Sequence, residues 1–303
     1  MKNKKWSMML ASCLVLMLAV NLSAWAEKEI NKVFEPKDKI KVKLAIGSCV
    51  IEKSADAKIH VRLVYSYDDD RFTPVFAEKS STLTLEERFR GHDHNGGQGE
   101  WTISVPGKTE VEFNSGTGNL SVQGLTIEVD GNTGTGDIEL TDVKGGLDLN
   151  TGTGNIEMAN CDGDFDVNSG TGNVTIKDTK GTFDANSGTG DVEAFNITIV
   201  DEGDFNSGTG DVQITQPKGE AYDLEMNSGT GDAVLVMKGA PIEGYFEFTA
   251  QVRRGKIVSP VKFDKEEEYE DNDHNYMRKS FTKGKGTPRF YISTGTGTAE
   301  LEQ

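Results

Sequence analysis

The sequence is poor in cysteine, in arginine through its middle, and in long apolar runs. Of three cysteines in 303 residues, only Cys49 and Cys161 lie beyond the N-terminal leader. An oxidising compartment would permit a disulfide between them without requiring one, and their separation in the repeat described below argues against pairing. No arginine occurs from Gly91 to Val252. A β-helical polysaccharide lyase or hydrolase holds an acidic sugar beside its catalytic carboxylates with arginines or lysines, and here only a few lysines remain, mainly around the second turns. After Glu27 no stretch stays apolar for the roughly 18 residues that a spanning helix requires. The formal net charge of −17 argues against nucleic acid and anionic lipid as partners, and suits cations or basic surfaces.

What is present begins with "MKNKKWSMMLASCLVLMLAVNLSAWAEKE". Lys2, Lys4 and Lys5 precede an apolar run from Met8 to Val20, and Ala24-Trp25-Ala26 is a small-x-small cleavage site, so residues 1–26 read as a secretory signal. A competing reading makes Leu10 to Cys13 a lipobox with Cys13 acylated, but the apolar run before Cys13 is very short and continues past it. Cleavage near Ala26 removes three lysines and no acid, which takes the charge from −17 to −20. The expected location is the periplasm, the cell surface or the medium.

The first glycine of "GTG" falls at Gly116, Gly134, Gly152, Gly170, Gly188, Gly208, Gly229 and Gly295, with spacings of 18, 18, 18, 18, 20, 21 and 66. A fixed period decides the architecture before any local propensity does. Aligned on that glycine, the chain alternates apolar and polar on both sides, as in "FDVNSGTGNVTI", and period-two alternation is the signature of a strand. Of 32 predicted inward positions, 30 are apolar or alanine, and Gly131 and Gly203 are the exceptions. Two short strands per 18 residues cannot bury a core alone, whereas coils stacked in parallel register about 4.8 Å apart can. The sequence therefore predicts an all-β fold, a parallel β-solenoid resembling a β-helix. A meander or propeller fits less well, since a propeller blade takes some 40 to 50 residues. The expected organisation is the leader at 1–26, less regular coils at 27–110, the regular solenoid at 111–237, and C-terminal coils at 238–303. A charged insert at about 264–286 is expected to fold over one open end.

These residues resemble the bacterial "putative adhesin" family of β-strand repeat proteins, a domain of unknown function with GTG-type repeats. The likeness lies in the "NSGTGNV" coils, in "WTISVP" before the first of them, in the early "KIKVKLAIGSCVIEK", and in the closing "GKIVSPVKF" and "FYISTGTGTAEL", from about Val33 to Leu301. The resemblance implies an exported, non-catalytic β-solenoid with an adhesin-like role, and brings no active-site residues with it.

Three sets of side chains invite chemistry. The glycine-rich loop could cradle phosphate, but a strand follows each copy, no lysine follows the glycines, and the next residue is Asn or Asp. Phosphate loops instead open a helix and carry a lysine. The loop reads better as a corner, with the column Asn114, Asn132, Asn150, Asn168, Asn186, Asn206 and Asn227 stacked as an amide ladder. Asp137, Asp191, Asp211 and Asp232 read as turn caps, and Thr117 to Thr296 would line one corner. Glu112, Asp130, Asp148, Asp166, Asp184, Asp204 and Glu225 form an outward carboxylate stripe. Neighbouring charges 4.8 Å apart repel by roughly 0.9 kcal/mol in water, which a divalent cation would relieve. Asp130, Asp148, Asp166, Asp184 and Asp204 are thus candidate calcium ligands, although the period and glycine pattern depart from the calcium-binding nonapeptide. His92-Asp93-His94 carries metal-capable side chains in a loop without an identifiable third ligand. The functional expectation is a surface-binding module of the cell envelope whose partner is a glycan or protein. A calcium-binding solenoid and a carbohydrate-active enzyme are the alternatives.

Overall fold

The computed structural model describes residues 27–91 and 97–303. The leader and the His92-Asp93-His94 loop lie outside the described residues. The described chain contains strand and turn and no helix. Each repeat supplies a long strand, such as Asp162–Thr171 or Lys180–Thr189, and a short one, such as Val174–Lys177 or Val192–Phe195. Each strand pairs in parallel with its counterpart one repeat on, so that Phe165 meets Phe183, Asn168 meets Asn186 and Val174 meets Val192. The sequence places the first turn over the whole of "NSGTG". In the structure the long strand persists through the threonine, and the chain bends only at the second glycine and the following Asn or Asp. The second turn is made by Asp142, Asn160, Asp178, Asn196, Gln216 and Lys238, all at positive φ. Four of these are Asx residues, which tolerate that conformation better than other side chains.

The 30 apolar inward positions are all buried. At the two glycine exceptions the neighbours fill the gap: a Cβ on Gly131 would sit 3.0 Å from Leu120 and 3.1 Å from Leu149, and one on Gly203 would sit 3.0 Å from Phe205. Phe183-x-Ala185 therefore stacks against Gly203-x-Phe205, large beside small, while the Phe165, Phe183 and Phe205 rings follow one another at 5.4 and 5.8 Å. Leu125, Ile127, Val143, Cys161 and Ile197 complete the core from the second turn. Cys49 and Cys161 are free and buried, and burial pushes both thiols up.

Coil order in space departs from chain order at both ends. Lys39–Leu44 and Ser48–Lys53 stack directly on Glu110–Thr117 and Leu120–Gln123, with Thr82–Phe89 and Gly99–Val105 on their other side. At the far end Arg289–Glu302 seats on Asp223–Thr230 and Ala233–Val236, and Gly244–Gln251 and Gly255–Val258 then cover it. The final GTG coil thus closes the sequence but not the solenoid. It alone among the C-terminal segments carries the glycine corner, with Gly295 against the Gly229 carbonyl, and so it alone continues the repeat.

The outermost strands are antiparallel, except Gly255–Val258, which pairs in parallel with Arg289–Glu302. Lys265–Asp271 and His274–Lys283, from the charged insert, form a hairpin added to Gly244–Gln251. Phe72–Glu78 is added at the opposite end, and its Pro74 lacks the N–H that a further strand would require. Charge on one edge and proline on the other blunt the templates that open sheets present.

Candidate functional site

The glycine corner spends the amides of its second glycines on its own hydrogen bonds, beside an open groove of about 730 Å³ lined by the asparagine column and the first glycines. The Gly172 and Gly190 amides donate at 2.9 Å to the Thr189 and Thr209 carbonyls of the next coil. The buried hydroxyls of Ser169, Ser187, Ser207 and Ser228 each donate at 2.8 Å to the second-glycine carbonyl of the coil before. The second-glycine amides, which a phosphate loop would aim at an anion, are consumed in stacking. The chain's Gly107-Lys108-Thr109 string lies apart from this corner, in a turn between Gly99–Val105 and Glu110–Thr117 with Lys108 at φ 55°. Asp137, Asp191, Asp211 and Asp232 act as caps, each carboxylate accepting the backbone N–H of the equivalent residue one coil on at 2.7–2.9 Å.

The amide ladder runs through Asn150, Asn168, Asn186, Asn206 and Asn227, at 3.2, 3.0, 2.9 and 2.8 Å. The second amide hydrogen reaches sideways to the acidic stripe: Asn132 to Asp130, Asn150 to Asp148, Asn168 to Asp166 and Asn186 to Asp184, at 2.6–2.7 Å. Asparagine column and carboxylate column are thus one network. Asn168→Ala removes two donated bonds and one accepted from Asn186, and is expected to lower stability by about 1–2 kcal/mol. A thermal melt unchanged from wild type would contradict the ladder.

The stripe itself is in strict register, Glu112 on Asp130, Asp148, Asp166, Asp184, Asp204 and Glu225 in turn. The structure adds a second acidic column two residues earlier, with Glu110, Glu128, Asp164, Glu202 and Asp223 on the same outer face. Gly146 and Thr182 interrupt it, which hid it in the sequence. Between the columns runs an open groove of about 630 Å³, with Val129, Leu147, Phe165 and Phe183 at its base.

Lysines close one end of this face. Lys41 meets Glu112 at 2.6 Å and Lys39 meets Glu110 at 2.6 Å, and the Lys41 hydrogen bond holds the Glu112 carboxyl below the usual range. Asp204 is the contrary case. Asn206 spends its amide on Asn186, and burial followed by the charges of Glu225, Glu202 and Asp184 raises the Asp204 carboxyl. A carboxyl with a raised folded-state pKa favours the fold while protonated, and that contribution is lost as pH rises through the folded pKa. Asp204→Asn is therefore expected to raise the melting temperature by about 1–3 °C at pH 7 and to leave it unchanged below about pH 3.5, under the unfolded pKa. Equal effects at both pH values would remove the electrostatic explanation.

Among the described residues no group of three or more His, Cys, Asp or Glu side chains is gathered closely enough to hold a metal ion. One buried carboxylate escaped the sequence reading altogether. Glu87 accepts the backbone N–H groups of Ala45, Ile46 and Gly47 at 2.9, 3.2 and 3.1 Å and the Trp101 indole at 3.0 Å. It fixes the corner of the coil that lacks the GTG motif, and its partners lie too far along the chain for local pattern to reveal.

The family model described as Toastrack DUF4097 matches residues 38–240. No curated protein sequence matches the chain. Among solved structures, a "putative adhesin" from Parabacteroides distasonis is 15% identical, with 91% of this chain and 97% of that one covered and a TM-score of 0.38. A "putative cell adhesion protein" from Clostridium sporogenes is 15% identical, with 92% and 100% covered and a TM-score of 0.27. A "putative lipid binding protein" from Parabacteroides distasonis is 9% identical, with 91% and 96% covered and a TM-score of 0.30. Likenesses at this level carry no conclusion about what this chain binds.

Proposed function

The chain belongs to the Toastrack family, DUF4097, and on that premise we propose that it is an exported, non-catalytic, adhesin-like module of the cell envelope. The observation that carries this reading is the acidic face, on which the column from Glu112 to Glu225 repeats coil after coil beside a second column broken only at Gly146 and Thr182. A rigid array of identical weak sites gains from a repetitive partner, because the second and later contacts form at high effective concentration. The partner's chemistry follows from the charge: a basic or cation-bearing surface polymer or protein. Association of the chain from Glu27 to Gln303 with envelope fractions should be measurable at 50 mM salt and lost by about 500 mM, where exposed charges are screened within a few ångströms. No association at low salt would overturn the reading.

Calcium taken up by the stripe is the second reading, favoured by the in-register stacking of like-charged carboxylates from Glu112 to Glu225. Millimolar calcium should then raise the melting temperature and give heat on titration. Neither signal would end it.

A further inference from the structure

Where the acidic face runs into the C-terminal coils its chemistry changes from carboxylate to aromatic. Glu225 is followed in register by Tyr291, and Tyr291 by Glu247 on the covering coil. Beside them the hairpin brings up Tyr269 and Arg278. Together with Asn227 and Thr249, Glu225, Glu247, Tyr269 and Tyr291 line a pocket of about 250 Å³.

The pocket is held in shape by groups around its rim. Tyr245 donates to Glu247 at 2.6 Å and packs edge-on to Tyr291 at 6.1 Å. The Arg278 guanidinium lies 4.5 Å from the Tyr269 ring centre, 3.3 Å from a Glu247 oxygen and 3.5 Å from a Glu267 oxygen. Tyr276 stacks on Tyr269 at 5.6 Å, and Asn227 donates to Glu225 at 2.8 Å. Among the described residues the side-chain hydroxyls of Tyr291 and Thr249 make no hydrogen bond to protein, although both face this pocket.

From this geometry we infer that the pocket binds one neutral saccharide ring, a second ligand class at a site separate from the acidic groove. The Tyr291 ring, which has only an edge-on neighbour in Tyr245, offers an electron-rich face to the C–H face of a pyranose, whereas the Tyr269 ring is already engaged by Arg278 and Tyr276 and contributes to the wall. Carboxylates accept from its hydroxyls, and the amide and the two open hydroxyls both donate and accept. The volume falls below the roughly 300–1,000 Å³ of drug-sized ligand sites and suits a single ring at a chain end. Glu225, Glu247 and Glu267 exclude uronic and sialic acids, and Arg278 already occupies the cation position over Tyr269, so a quaternary ammonium is not the expected occupant.

The test uses the chain from Glu27 to Gln303 with glucose, galactose and N-acetylglucosamine, read by saturation-transfer NMR and calorimetry, with envelope association followed in parallel. At least one sugar is expected to bind, and Tyr291→Ala and Tyr269→Ala are each expected to weaken it by about tenfold or more. Glu247→Gln, which keeps the shape, guards against a folding artefact and is expected to weaken binding as well. Failure of all three sugars to bind, or equal binding by the tyrosine variants, overturns the pocket while leaving envelope association on the acidic face to stand. Sugar binding that persists when envelope association is absent supports the pocket and removes the acidic-face reading.

Discussion

Gly190→Ala is expected to cost about 4 kcal/mol or more, enough to disrupt the central coils. Gly190 has φ +140°, and an added Cβ would land on the Gly172 carbonyl oxygen and within 2.6 Å of its carbon. Both obstacles are backbone, and both belong to a coil whose own glycine is pinned in the same way against Gly154. Movement in one coil would have to be shared by its neighbours, so the usual relaxation of a local clash is denied. Gly188→Ala meets the Gly170 carbonyl oxygen at 2.6 Å and should behave alike, whereas Thr189→Ala, at the exposed residue between the two glycines, should change stability by less than about 0.5 kcal/mol. Denaturant melts followed by circular dichroism give the comparison. A wild-type midpoint for Gly190→Ala would mean that the corners are not stacked as described.

Glu87→Ala is expected to cost about 3–5 kcal/mol, since each buried donor left without an acceptor costs about 1–3 kcal/mol and water can satisfy some of them. The substitution leaves three backbone N–H groups and the Trp101 indole without an acceptor, in a place where Glu87 is 7% exposed and Trp101 fully buried. Glu87→Gln should lose less, because one amide oxygen still accepts while the NH₂ faces donors. Trp6 and Trp25 lie in the leader, so in the chain from Glu27 to Gln303 Trp101 is the one tryptophan, and fluorescence melts report this end of the solenoid directly. Coincident wild-type and Glu87→Ala transitions would refute the role given to this carboxylate.

The regular part of the fold is legible because each coil repeats the same steric problem and answers it with the same residue. Alternation fixes which side chains turn inward, and the glycines mark where backbone meets backbone. What resists reading is whatever depends on distant chain. The coil from Lys39 to Lys53 has no GTG, and its corner is completed by Glu87, some 40 residues on. Its place between Thr82–Phe89 and Glu110–Thr117 follows from pairing partners, not from local pattern. The same holds for Arg289–Glu302, covered by strands that precede it in the chain.

In the candidate site, one acidic column shows in the sequence because seven of the eight GTG coils carry it, the last having Tyr291 there. The second is hidden by Gly146 and Thr182, and the Gly146 N–H donates to Glu128 at 3.0 Å. The serine and threonine residues before the first glycine look exposed in an alternating turn. They are buried, because the long strand continues past them and their hydroxyls bond the coil below. The tyrosine pocket is assembled from four separate strands, and no stretch of sequence holds more than two of its lining residues in outward alternation.

The glycine corner builds the solenoid, and the acidic face is the surface proposed to meet the partner. The direct test is to compare two triple variants for association with envelope fractions at low salt: Asp148→Asn with Asp166→Asn and Asp184→Asn, and Thr153→Val with Thr171→Val and Thr189→Val. Binding lost by about tenfold or more in the first and retained in the second is the predicted result. Binding retained in the aspartate variant and lost in the threonine variant would contradict it.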